Sequence, residues 1–177
     1  MPITISALLW ALLLDTNGPV NTVLGFFGWA LPPDWLGDYH IALGTVIFVA
    51  IWQASGFTML LILGAMEDVP AELHDAASLD GATSLRRLVS IVLPHIRGTV
   101  ATVTVVQFVG LLKAFDIVFA LTKGGPGGST DVFGTYLTQK AFAEGQYGYG
   151  SAIAVAMTVL LLVINFVIYR RLLGKED

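Results

Sequence analysis

Residues 41–66 read IALGTVIFVAIWQASGFTMLLILGAM and contain no Asp, Glu, Lys, Arg or His. At ~1.5 Å per helical residue, the run is longer than the ~30 Å hydrocarbon core of a bilayer. No face of it is polar enough for the surface of a soluble domain. Lipid offers backbone N–H and C=O groups no hydrogen-bond partners, so such a run has to be helical. A membrane helix bundle follows, and the rest of the chain is read outward from this run.

Composition agrees. Of 177 residues, 55% are hydrophobic and 12% charged, against about 45–50% and roughly 25% in a soluble domain. Mean hydropathy is +0.77. Too little polar surface exists to cover the chain in water. A disordered tail, a secreted disulfide scaffold and most cytosolic enzymes are excluded. The net charge of −4 leaves no basic excess for phosphates, so no nucleic-acid partner is expected. The absence of cysteine removes disulfides, thiolate metal sites and cysteine nucleophiles.

Two further runs are long enough to span. Residues 99–121 are apolar except for Gln107, Lys113 and Asp116, and residues 151–169 are apolar except for Asn165. The first run, MPITISALLWALLL, covers only ~21 Å at ~1.5 Å per residue before Asp15. It has neither the basic start nor the cleavage signature of a signal peptide, and is read as the last two-thirds of a span whose beginning is missing. The expected fold is all-α: one polytopic membrane helix bundle over 1–177, with three full spans (41–66, 99–121, 151–169) and a partial N-terminal span (about 1–14).

The connectors differ in kind. Residues 15–40 carry the turn signals DTNG, PPDW and GDY. They also hold Trp29, Trp35 and Tyr39, aromatics suited to a membrane–water boundary. Residues 122–150 contain GGPGGST and GQYGYG, read as tight turns. Arg86, Arg87 and Arg97 in 67–98 join Arg170, Arg171 and Lys175 at the C-terminus, against Lys123 and Lys140 on the alternate side. The positive-inside rule makes 67–98 and the C-terminus cytoplasmic.

Residues 67–98 read EDVPAELHDAASLDGATSLRRLVSIVLPHIRG. Pro70 suits a first helical turn, and Glu72 and Asp75 follow where a helix N-terminus favours acid. Leu73, Ala76, Ala77 and Asp80 share a face, and Gly81 can close that helix in a left-handed conformation. Thr83 or Ser84 can cap a second helix with an apolar stripe of Leu85, Leu88, Val89 and Val92. Pro94 ends that helix or kinks it into the next span. On pattern alone, this hairpin could simply rest on lipid headgroups.

The residues themselves say more. D-A-A-x-x-D-G from Asp75, followed after nine residues by I-x-L-P, resembles the EAA loop of binding-protein-dependent ABC importer permeases. Asp75, Ala76, Ala77, Gly81, Ile91, Leu93 and Pro94 carry the match, with Asp75 in place of the usual Glu. The segments around 38–73 and 111–152, with FD, LTKGGPGGST, AF and GYGSA, are similar to sugar-type permeases of the maltose and glycerol-phosphate kind. The resemblance implies a coupling helix in 67–98 that docks on cytoplasmic ABC ATPase subunits. It also implies a second permease subunit, an extracytoplasmic solute-binding protein and a bacterial or archaeal inner-membrane location. With Asp80, Arg86 and Arg87 expected to make charged contacts or cap helices, these residues form the candidate coupling site. The family has about six core spans, so the first two and part of the third are expected to be absent.

A substrate pathway is read from polar and small residues inside the spans. Gln53 and Gln107 need partners or a cavity. Gln107, Gly110, Leu111 and Ala114 share a face that leaves room for a ligand or for helix packing. Phe57 and Trp52 could stack on a sugar or pack against helices. Lys113 and Asp116 lie three apart and form either part of the path or a structural ion pair. GGPGGST is no phosphate loop, because no lysine precedes Ser129. No cofactor, metal or catalytic residue is expected. The function implied is ATP-driven import of a sugar or related solute by alternating access. Two other readings stay open: a permease fragment that does not transport, and a membrane scaffold or enzyme using the glycine-rich loop.

Overall fold

The computed structural model describes residues 2–29, 31–112 and 114–173. Readings that fall on Lys113, Lys175 and the Asn165 side chain lie outside the described residues. Among the described residues the regular elements are all helices, without strands. In order they form α1 (Ile3–Leu13), α2 (Pro19–Phe26), α3 (Ala42–Glu67) and α4 (Ala71–Leu79). Next come α5 (Ser84–His95), α6 (Arg97–Leu112) and α7 (Phe115–Leu121). Then follow α8 (Phe133–Thr138, continued by a wide turn over Gln139–Ala143) and α9 (Tyr147–Leu173).

α3 keeps the bounds its sequence dictates, within one residue. Only 11% of its most apolar window is buried within the protein, and Ile47, Phe48, Ile51 and Leu60 are exposed. Lipid is the solvent for that surface. α9 behaves likewise, with 6% of its window buried.

The bundle is held where small and β-branched side chains let helices approach. Ala7 of α1 and Leu14 just after it meet Val46 and Val49 of α3 and Ile117, Val118 and Leu121 of α7. Trp10 sets its ring edge-on to Phe48 and Trp52, each at 5.4 Å between centroids. Trp52 thus packs against α1 while remaining half-exposed.

The 99–121 run is not one helix. α6 stops at Leu112, and α7 starts after Ala114, whose backbone (φ −69°, ψ 33°) leaves the helical region. Among the described residues, two uninterrupted helices are long and apolar enough to span, and α5 and α6 pass the same test only when taken together as a bent pair. Asp116 stands in the first turn of α7, where a helix N-terminus favours a carboxylate. The freed backbone is satisfied locally, with the Ala114 N–H donating to the Leu111 carbonyl at 3.1 Å.

The connectors hold more helix than their turn signals foretell. α2 begins at Pro19, a favoured first helical position. Asn21, 4% exposed, ties the 15–40 segment together. Its amide donates to the Thr16 and Pro33 carbonyls at 3.1 and 3.2 Å and accepts the Trp35 indole N–H at 2.7 Å. Gly124, Gly127 and Gly128 do adopt left-handed turns. The glycines of GQYGYG divide: Gly145 turns, whereas Gly148 and Gly150 belong to α9. A Cβ on Gly150 would come within 2.7 Å of the Ala141 Cβ, so this glycine serves close approach of α9 to the turn after α8.

Candidate functional site

Two places gather the candidate residues. The first is an elbow between α3 and α6. α4 ends in a left-handed Gly81 (φ +71°). The Gly81 N–H donates to the Ser78 carbonyl at 3.1 Å, and the Ala82 N–H to the Ala77 carbonyl at 2.9 Å. These two bonds satisfy carbonyls that a helix end otherwise strands. The Thr83 hydroxyl then accepts the Arg86 backbone N–H at 3.4 Å and caps α5.

Pro94 does not terminate α5. The preceding turn is widened, so the Leu93 N–H reaches back five residues to the Leu88 carbonyl. That arrangement accommodates a ring that has no N–H to give and crowds the carbonyl four residues earlier. The break comes at Ile96, where α5 and α6 meet at 73°. Val69, Val92 and Ile96 are buried beneath the corner.

A crevice of about 300 Å³ lies inside this elbow, lined by Leu73, Ala76, Ala77, Asp80, Ala82, Arg86, Arg87, Ser90 and Ile91. Six of the candidate coupling residues thus come together, while Asp75, Gly81, Leu93 and Pro94 stand exposed around them. Ala77 is buried at the elbow. The Arg87 guanidinium donates to the Ser78 hydroxyl at 3.2 Å, which pins the two arms together. Leu79 and Leu85 are 90% and 70% exposed. Leu85 belongs to the apolar stripe expected of the second helix, whereas Leu79 lies outside both the stripe and the motif positions.

The second place is a cleft of about 300 Å³ bounded by α1, α3, α6 and α7. Gln53 and Phe57 enter from α3, Gln107, Gly110 and Leu111 from α6, and Ala114 and Asp116 from the α6–α7 break. Every described member of the candidate pathway lines it. Ile3, Ala50, Ile51, Ala54 and Ile117 complete the wall and were not singled out, being ordinary apolar span residues. Gln107 donates to the Ala54 carbonyl at 3.2 Å and to the Thr58 hydroxyl. It therefore joins α6 to α3 as well as facing the cleft.

The α7–α9 connector is separately organised. Thr130 is buried and donates to the Gly125 carbonyl at 2.7 Å. Lys140 and Glu144 form an ion pair at 2.8 Å. The carboxylate holds the Lys140 pKa above its ordinary value, and a hydrogen bond with Tyr149 raises that of Tyr136.

Residues 1–173 match the family model described as binding-protein-dependent transport system inner membrane component. A xylose/arabinose import permease protein of Haloferax volcanii is 35% identical over 160 residues, covering 89% of this chain and 50% of that protein. A trehalose/maltose transport system permease protein of Thermococcus litoralis is 33% identical over 168 residues, covering 94% and 56%. Among solved structures, a bacterial alginate ABC transporter in complex with an alginate pentasaccharide-bound periplasmic protein superposes with a TM-score of 0.84. The identity is 26%, and the match covers 99% of this chain and 62% of that one. The chain spans about half the length of the curated relatives it matches.

Proposed function

Because this chain belongs to the binding-protein-dependent transport system inner membrane component family, we propose that it is a multi-pass permease subunit of an ATP-driven ABC importer. Its cargo is a sugar or related small solute, moved across the inner membrane by alternating access. Relatives named for xylose/arabinose and trehalose/maltose transport support the cargo class.

The observation that carries the reading is that the same two helices run from the elbow to the cleft. From Phe57 in the cleft to Glu67 at the elbow, α3 runs ~15 Å at ~1.5 Å per residue. α6 returns from Arg97 to Gln107 over a similar length. A displacement of the elbow is thereby delivered to both walls of the cleft. Residues 67–98 form the cytoplasmic coupling loop, with Asp75, Ala76, Ala77, Asp80, Gly81, Arg86, Arg87, Ile91, Leu93 and Pro94 meeting the ATPase subunits. Gln53, Phe57, Gln107, Gly110, Leu111, Ala114 and Asp116 line the path of the solute. A second permease subunit faces this one, and an extracytoplasmic solute-binding protein delivers cargo to the side bearing 15–40 and 122–146.

Gly81→Asp tests the assignment. The open space around Gly81 admits the side chain, but the left-handed backbone is strained and a new charge stands at the elbow. Membrane insertion should persist while recovery of the ATPase with the permease is lost. Unchanged recovery together with unchanged transport would sink the coupling role.

A further inference from the structure

Beside the cleft lies a second cavity of about 450 Å³, open to the surface and lined by Leu111, Asp131, Val132, Phe133 and Tyr136, of which only Val132 is not exposed. Leu111 also lines the cleft, so the two cavities adjoin at one side chain. Phe133 and Tyr136 sit three apart on α8 and therefore on one side of it. Tyr136 is held in place: the Lys140 ammonium lies 5.5 Å from its ring centroid, and its phenol bonds with Tyr149. That ammonium is already matched by Glu144 at 2.8 Å.

Among the described residues, Asp131 is the one charged side chain lining the chamber. Its carboxylate accepts the Thr135 hydroxyl at 2.9 Å, and its backbone N–H donates to the Gly128 carbonyl at 3.1 Å. Its orientation is set before any ligand arrives. Aromatic rings beside a fixed carboxylate suit an uncharged sugar. Ring C–H faces lie on aromatic carbon, and neighbouring hydroxyls donate to the carboxylate. The same carboxylate disfavours an acidic sugar, whose charge it opposes.

We propose that Asp131, Phe133 and Tyr136 form a receiving subsite for one ring of a neutral carbohydrate, which passes Leu111 to enter the cleft. The direction of passage rests on the transport reading; the binding itself does not.

Saturation-transfer difference NMR on the full chain in lipid nanodiscs tests it, with maltose and digalacturonate as probes. Maltose should give the stronger signal, and Phe133→Ala and Tyr136→Ala should each lower it about threefold or more. Phe133→Trp, which keeps an aromatic ring, should retain it and report that the fold is intact. Phe57→Ala, which strips the cleft and spares the chamber, should leave at least about half. Asp131→Asn should raise the digalacturonate signal. Loss of the maltose signal in Phe57→Ala, with Phe133→Ala unaffected, would overturn the subsite while leaving the transport reading intact. No maltose signal from the unaltered chain, or equal signals from both probes, would also overturn the proposal. ATPase recovery, read separately, reports on the transport reading alone.

Discussion

Single residues set local geometry in three different ways. Asn21 fixes a connector through partners twelve and fourteen positions away. Replacing it with Ala leaves the Pro33 carbonyl and the Trp35 indole without this partner, at ~1–3 kcal/mol. The expected result is a lower unfolding midpoint and a red shift of Trp35 emission in a variant with the other tryptophans replaced. Gly150 acts by having no side chain. Gly150→Val should cost ~1–3 kcal/mol through overpacking against Ala141. Gly148→Ala, with open space around it, should be neutral or stabilising on helix propensity. Thermal unfolding in detergent separates the two. The Tyr136–Tyr149 bond favours the neutral phenol, so Tyr136 should titrate above its ordinary 10.0. Tyr149→Phe should bring it down, read by absorbance of the phenolate. Gly81 could be read from sequence because a helix-closing glycine is a local signal. Asn21 and Gly150 could not, since the residues that give them meaning are remote or lie in an unforeseen element.

Elements were legible in proportion to their length. The 41–66 run is apolar on every side, and nothing but an intramembrane helix satisfies it. α2 and α8 escaped notice because each is short and flanked by glycine or proline turn signals that dominate the local pattern. The division of 99–121 escaped because hydropathy registers lipid compatibility but not continuity. Lys113 and Asp116 marked the place, yet polar residues inside a span also arise in unbroken helices that face a cavity. The pairing of α6 with α3 through Gln107 is testable at this scale. Gln107→Leu should weaken the pair by ~0.6 kcal/mol, and by no more than ~1.7 kcal/mol. The measurement is unfolding in mixed micelles, with spin labels at 61 and 104 to show whether the helices part. A larger loss would mean that Gln107 also supports the cleft wall.

At the scale of the whole molecule, membrane embedding and the two short helices joined at Gly81 were readable, and the cleft was foreshadowed as a set of residues without a shape. The sequence could not show that elbow and cleft share two helices, because that depends on how α3 and α6 lie together. If motion travels along both, fastening them should uncouple the transporter. Cysteines are otherwise absent, so Ala54→Cys with Gln107→Cys can be joined by a short bifunctional linker. Transport by the assembled importer should fall about tenfold or more and recover on cleavage of the linker, with ATPase recovery unaffected throughout. The corner at Ile96 has a mechanical corollary. Under the proposed coupling role, arms set at 73° would act as a crank: thrust along the first would emerge as swing of the second. The sweep is least beside Ile96 and grows toward Leu111, so the smallest stroke at the pivot has its greatest reach at the threshold between the two cavities.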